Sequence, residues 1–176
     1  MRKVVLFIAM SLDGYIADKN GGVDWLRGQG NDAENIDTYS QFVKDIDTVF
    51  MGWNTYHQVV TELSPTQWVY DDFTTYVFTH KELASTETII FTNSSPADLL
   101  NKLKAQTGKD IWVCGGADLI GQLIRENLID RYYISVIPVR LGGGIRLFGE
   151  TAVSQELRLI KTQSYNGIVE LIYECR

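Results

Sequence analysis

Three short segments carry residue types from which an anion-binding cleft can be built. In Ile111-Trp112-Val113-Cys114-Gly115-Gly116-Ala117-Asp118-Leu119, an apolar run passes through two glycines straight into helix-forming sequence. The start of a helix offers N–H groups without intrahelical acceptors and a partial positive charge, which suits a phosphate. Glycine lets the backbone approach such a group closely. Phe50-Met51-Gly52-Trp53-Asn54-Thr55-Tyr56 repeats the strand–glycine–helix device. Two such corners in one sheet can hold both halves of a dinucleotide. In Ala9-Met10-Ser11-Leu12-Asp13-Gly14-Tyr15-Ile16-Ala17 a strand exits into a loop that returns extended, able to lie across a bound ring and close a site. Each segment has a plainer reading as well: a tight strand-to-helix turn with no ligand, or an ordinary Asp-Gly turn.

Other chemistry is sparse. His57 and His80 are far apart in sequence, with no nucleophile–base or metal-ligand spacing around them. Cys114 and Cys175 are isolated and read as reduced thiols. A net charge of −6 argues against a nucleic-acid surface. Arg2 and Lys3 precede an apolar run, but it is short, rich in β-formers and meets Asp13-Gly14 without a small-residue cleavage site. No stretch approaches a membrane span. A cytoplasmic location is expected.

The elements that must position these segments follow from periodicity. The 176 residues fit one domain spanning the whole chain. Val4 to Met10 reads as a buried strand, and Ser11 to Gly30 as a long loop with an extended piece at Tyr15 to Ala17. Helices are predicted over Ile36 to Lys44, with Ile36, Tyr39 or Ser40, and Val43 on one face, and over Thr55 to Leu63, with Asn54 as N-cap. Two more are predicted from Pro96 to Gln106, capped by Ser95, and from Ala117 to Glu126, with Leu119, Ile120, Leu123 and Ile124 inward. Strands are predicted at Thr48 to Met51, Thr75 to Thr79, Thr88 to Phe91, Ile111 to Cys114 and Arg131 to Ile137. Leu141 to Gly149 reads as a glycine-rich loop. Leu157 to Gln163 and Ile168 to Glu174 form a hairpin across Asn166-Gly167. The fold class is therefore α/β: a mixed, mainly parallel sheet with flanking helices and a C-terminal antiparallel hairpin. Ligands of such sheets bind beyond the carboxyl ends of the strands.

In this order the segments resemble the dihydrofolate reductase superfamily, closest to the branch holding the reductase domain of the riboflavin-biosynthesis deaminase/reductase. Met10 to Ala17 looks like that branch's opening motif. Met51-Gly52-x-x-Thr55 looks like the family's Met-Gly-Arg-x-Thr, and Val113 to Gly116 like its Gly-Gly motif. Leu128 to Arg131, then Ile137 to Gly144 and Leu147-Phe148, look like its late strand and glycine loop. The resemblance implies hydride transfer from NADPH, with NADH as an alternative, to a small heteroaromatic or carbonyl substrate. Gly115 and Gly116, with the N–H groups of Ala117, Asp118 and Leu119, would hold the pyrophosphate. Ala9 and Ile16 would line the nicotinamide. Gly52, Asn54 and Thr55 would follow the phosphates, and Thr79, His80 and Lys81 would meet the adenosine 2′-phosphate. One departure bears on cofactor choice: Trp53 stands where the family has arginine, and an indole makes no bidentate phosphate contact. Either Lys81 or His80 compensates, or Trp53 stacks on the adenine or faces the core.

On the substrate side the resemblance implies an acid on the helix before the Met-Gly strand, with its pKa raised by burial. Asp37 has the right spacing, Asp32 and Glu34 compete with it, and the plainer reading of Asp37 is an exposed acid in a first helical turn. Trp25 and Phe42 would contact the substrate. Asp24 stands where the family has proline before that tryptophan, so folate reduction itself is not expected. Two other readings use the same fold: a non-catalytic nucleotide-binding module, and a flavin or deazaflavin user. The resemblance further implies a homodimer through outer strands and loops, to which Tyr132-Tyr133 and the loop Leu141 to Phe148 would contribute.

Overall fold

The computed structural model describes residues 1–150 and 153–176. Eight strands form one sheet in the order β5-β4-β3-β6-β1-β7-β10-β9. They are β1 (Val4–Ser11), β3 (Ile46–Gly52), β4 (Thr74–Phe78), β5 (Ile89–Thr92), β6 (Asp110–Gly115), β7 (Arg131–Ile137), β9 (Leu157–Tyr165) and β10 (Ile168–Cys175). The first six of these are parallel, and β10 pairs antiparallel with both β7 and β9. This is the mixed, mainly parallel sheet with a terminal hairpin that the sequence predicts. Its turn holds Asn166 at φ 47° and Gly167 at φ 75°, the two positive angles that an Asn-Gly hairpin turn requires.

Strand alternation sends side chains to two cores. Val4, Leu6, Phe50, Ile111 and Val113 face one side, where they meet Leu100 and Leu103 of α3 (Pro96–Lys104) and Leu119, Ile120, Leu123 and Ile124 of α4 (Ala117–Arg125). Val5, Val49, Met51, Val77 and Trp112 face the other, under Phe42 of α1 (Tyr39–Phe42) and Phe73. Ser95 caps α3 by accepting from the Asp98 N–H, and Pro96 opens it.

Three local expectations are corrected. The helix predicted over 36–44 shrinks to α1 and a following turn at Val43–Asp45, with Ile36 46% exposed. A four-residue helix has little stability of its own. Its entry is fixed from outside, because the Thr38 hydroxyl donates to Glu170 of β10 at 2.7 Å. The helix after β3 starts earlier than predicted, as α2 (Trp53–Gln58) with Gly52 as its cap, so Asn54 lies inside the first turn. Its end widens over Val59–Leu63, where the Ser64 N–H reaches the Val59 carbonyl at 2.8 Å. Finally, the glycine-rich loop contains β8 (Ile145–Arg146), which pairs with β2 (Tyr15–Ala17) as a separate two-stranded ladder.

The long loop after β2 is pinned by the hairpin turn. Asn166 accepts from the Gly30 N–H at 2.6 Å and donates to Asn35 at 2.8 Å, while its carbonyl accepts from Gln29. A Cβ on Gly28 would stand 2.2 Å from the Asn166 amide nitrogen, so that approach requires glycine.

Candidate active site

The two strand–glycine–helix corners stand against each other. β3 and β6 are neighbours, with Met51 opposite Gly115. A Cβ placed on Gly52 would lie 3.7 Å from the Gly116 nitrogen. The Thr55 hydroxyl reaches the same place from the first turn of α2, 3.3 Å from where a Gly116 Cβ would be. Gly115 holds φ at 141°, a backbone angle that side-chain-bearing residues rarely adopt. Neither Gly52 nor Gly116 supplies a capping side chain, so the first-turn N–H groups of both helices remain available to a ligand. The first intrahelical bond of α4 runs from Ile120 to the Gly116 carbonyl, leaving the N–H groups of Ala117, Asp118 and Leu119 ahead of it. The Leu119 side chain is buried in the core, and Asp118 is exposed.

Beside this corner Lys81, following β4, places its ammonium 4.4 Å from the centroid of Trp53. The indole also packs near Tyr56 and His57, at 5.6 and 5.5 Å. A cation therefore sits at the departure from the family's arginine, carried by a neighbouring strand exit. Thr79 accepts from the Lys81 N–H at 3.1 Å, and with His80 these residues line an open groove of about 550 Å³.

The opening loop is latched to the glycine-rich loop. Asp13 accepts from the Ser11 hydroxyl at 2.7 Å and from the N–H groups of Leu141 and Gly142 at 3.0 and 2.7 Å. Desolvation works to raise its pKa, but these bonds outweigh it and hold the carboxyl at about 2. The Leu12 N–H donates to Val139, the Leu147 N–H donates to Gly14, and Arg146 lies over the Tyr15 ring at 4.9 Å. Ile16 is thereby fixed against the core, while Ala9 lies opposite Ser135 of β7 near the exit of β1.

The substrate side differs from the sequence expectation. Asp37, Asp32 and Glu34 are all exposed. Asp37 accepts from the Ser40 N–H at 2.9 Å, and that bond lowers its pKa, opposite to the rise expected from burial. It is the exposed acid of the plainer reading, although it stands just ahead of α1, whose N-cap is Thr38, and not in the first turn. Phe42 is 9% exposed and stacks on Phe7 at 4.2 Å, so it faces the sheet and one wall of a partly open cavity of about 230 Å³. Trp25 stays within its own loop, donating to the Gly22 carbonyl at 3.1 Å.

Two polar groups in this half escape sequence reasoning. Glu170, 7% exposed in β10, lines the cavity and accepts from Thr38, Tyr165 and Gln163. The strand pattern held a signal for it, since Glu170 and Glu174 break an otherwise apolar run on one face. The second group lies at the exit of β6. The Tyr70 hydroxyl is 3.9 Å from the Cys114 sulfur, and the Tyr39 and Tyr70 rings flank Trp112 at 5.9 and 5.5 Å. No sequence spacing links these residues, because they arrive from α1, from the segment before β4 and from β6.

The family described as the RibD C-terminal domain matches residues 2–171. The chain is 40% identical to the uncharacterized protein YwjB of Bacillus subtilis (strain 168), over 98% of this chain and 97% of that one. It is 32% identical to YyaP of the same organism, over 98% and 94%. Among solved structures, a putative riboflavin biosynthesis protein from Shewanella sp. PV-4 superposes with a TM-score of 0.86 at 28% identity, covering 99% of both chains. The diaminohydroxyphosphoribosylaminopyrimidine deaminase/5-amino-6-(5-phosphoribosylamino)uracil reductase of Thermotoga maritima shares the fold with a TM-score of 0.70 at 15% identity, covering 99% of this chain and 57% of that one. The dihydrofolate reductase-like sheet, the paired glycine corners and a match over nearly the whole length together make this chain a member of the RibD C-terminal domain family.

Proposed function

We propose that this protein is an NADPH-dependent reductase acting on a small pyrimidine- or pterin-like heterocycle or a related carbonyl compound. The observation that carries the reading is the meeting of Gly52, Thr55, Gly115 and Gly116 at adjacent strand exits, with two uncapped helix starts around them. These donors suit a pyrophosphate, because the backbone there leaves room and the Thr55 hydroxyl and first-turn N–H groups can donate to its oxygens. Lys81 supplies a cation for a 2′-phosphate, and Trp53 offers a face for adenine. A reduced nicotinamide, when bound, supplies the hydride. The chain's own part is to orient the ring between Ala9 and Ile16, keep water out with the latched opening loop, and hold the acceptor against Phe7 and Cys114.

The test is NADPH titration by calorimetry, followed by NADPH oxidation assays. The acceptors are dihydrofolate, 5-amino-6-(5-phosphoribosylamino)uracil and a quinone. Saturable NADPH binding and oxidation dependent on one acceptor are expected, and absence of NADPH binding refutes the reading. A second reading, a nucleotide-binding module without turnover, draws on the exposure of Asp32, Glu34 and Asp37. It predicts binding with no oxidation by any acceptor.

A further inference from the structure

Hydride transfer to a C=N or C=O group must be matched by a proton, and the acids nominated by sequence are poorly placed to give it. Asp32, Glu34 and Asp37 face solvent. Glu170 already accepts from Thr38, Tyr165 and Gln163. The exit of β6 offers a different donor. Cys114 is the last side chain before Gly115, and strand alternation puts it on the same face as Trp112. Tyr70 reaches over it with its hydroxyl 3.9 Å from the sulfur and its ring edge-on to Trp112. Trp68 packs against Tyr70 at 5.1 Å, and its buried indole N–H has no acceptor within the described residues.

We propose that Tyr70 is the catalytic proton donor of this site, an inference that rests on the reductase reading. The acceptor's C=N or C=O π bond breaks as its carbon takes hydride from the reduced nicotinamide and its nitrogen or oxygen takes the Tyr70 proton. A C–H and an N–H or O–H bond form, the dinucleotide leaves oxidised, and the Tyr70 phenolate recovers a proton from solvent. The surroundings suit this role. The neighbouring Cys114, burial and Tyr39 raise the Tyr70 pKa above the ordinary phenol value, so the proton stays on the free enzyme and leaves when hydride arrival makes the acceptor nitrogen or oxygen the stronger base. Burial pushes the Cys114 thiol up to about 11, which keeps an S–H available to donate to the phenolate while it lasts. Tyr39, from α1, is raised by burial, by Cys114 and by Asp72, and its ring stands edge-on to Trp112 at 5.9 Å.

The experiment compares wild type, Y70F and Y39F. Affinity for NADPH and affinity of the acceptor for the NADP⁺ complex are measured separately from turnover. In Y70F both affinities are expected to stay within about threefold while turnover falls about 10²- to 10⁴-fold, the usual worth of a positioned acid. The residual activity should drop steeply with rising pH, since solvent must then supply the proton. Replacing Tyr70 by 3-fluorotyrosine keeps the ring and a proton-donating hydroxyl, so turnover should stay within about tenfold of wild type even if Y70F folds poorly. Wild-type turnover in Y70F, a loss confined to Y39F, or fluorotyrosine turnover as low as that of Y70F overturns the proposal. So does a wild-type protein that binds NADPH but reduces none of the acceptors. A protein that does not bind NADPH instead overturns the reductase reading beneath it.

Discussion

Thr55 is the side chain on which the two glycine corners converge, and its hydroxyl is the natural donor to a phosphate oxygen there. Replacing it with valine keeps the shape and removes the donor. A hydrogen bond to a charged group contributes about 1.5–3 kcal/mol, so T55V should weaken NADPH binding about tenfold to a hundredfold by calorimetry. Lys81 has a narrower task. K81A should weaken NADPH about tenfold while leaving NADH nearly unchanged, because only NADPH carries the 2′-phosphate. Equal losses for both cofactors would assign the lysine to Trp53 packing alone. The glycines and Thr55 were legible in the sequence because strand, glycine and helix start are contiguous, and contiguity fixes local geometry. Asp37 shows the limit of that reasoning: its spacing was suitable, yet the helix begins only at Tyr39 and leaves Asp37 in the exposed segment before it. The pairing of Tyr70 with Cys114 lay beyond reach because the two meet only through the tertiary fold, whereas Glu170 left a trace as a charge inside an apolar strand.

At the level of elements, the opening loop works as part of a clasp. β2, β8 and the Asp13 bonds to Leu141 and Gly142 join two loops that lie far apart in sequence. The Asp13 pKa is depressed to about 2 from an ordinary 3.8. A depressed carboxyl contributes stability that is complete above its unfolded pKa and is lost as pH falls through the folded one. D13N should therefore unfold at lower denaturant than wild type at neutral pH, and the two midpoints should converge in acid as wild-type Asp13 protonates. A gap independent of pH would remove the carboxylate from the account. The same substitution should raise the KM for NADPH, since Ile16 is positioned through this clasp. The strands, α3 and α4 were readable because their apolar periods match the two cores. The clasp was not, because β8 has two residues and no pattern of its own.

The whole molecule is closed by long-range charge pairing at the base of the sheet. Glu174 of β10 pairs with Lys3, Arg131 and Arg158, and the Lys3 and Arg131 bonds hold its carboxyl at about 2. The outer strand β9 leaves Leu159 and Ile160 50% and 45% exposed. Tyr132, expected near a dimer contact, is buried at 5% and the neighbouring Tyr133 packs on the core, so neither presents a free surface. The expectation of a homodimer stays with the outer strand β9 and the loop Leu141 to Phe148, where Ile145 and Phe148 are exposed, and light scattering should give twice the chain mass of 19.9 kDa for wild type but a single chain mass for L159E/I160E. A monomeric wild type would remove that expectation without touching the cleft. The cleft is tested most directly by a crystal structure with NADP⁺. The account predicts the pyrophosphate against Gly115 and Gly116 within hydrogen-bonding reach of Thr55, with the nicotinamide beside Ala9 and Ile16. A dinucleotide seated elsewhere, or none bound at saturating concentration, would contradict it.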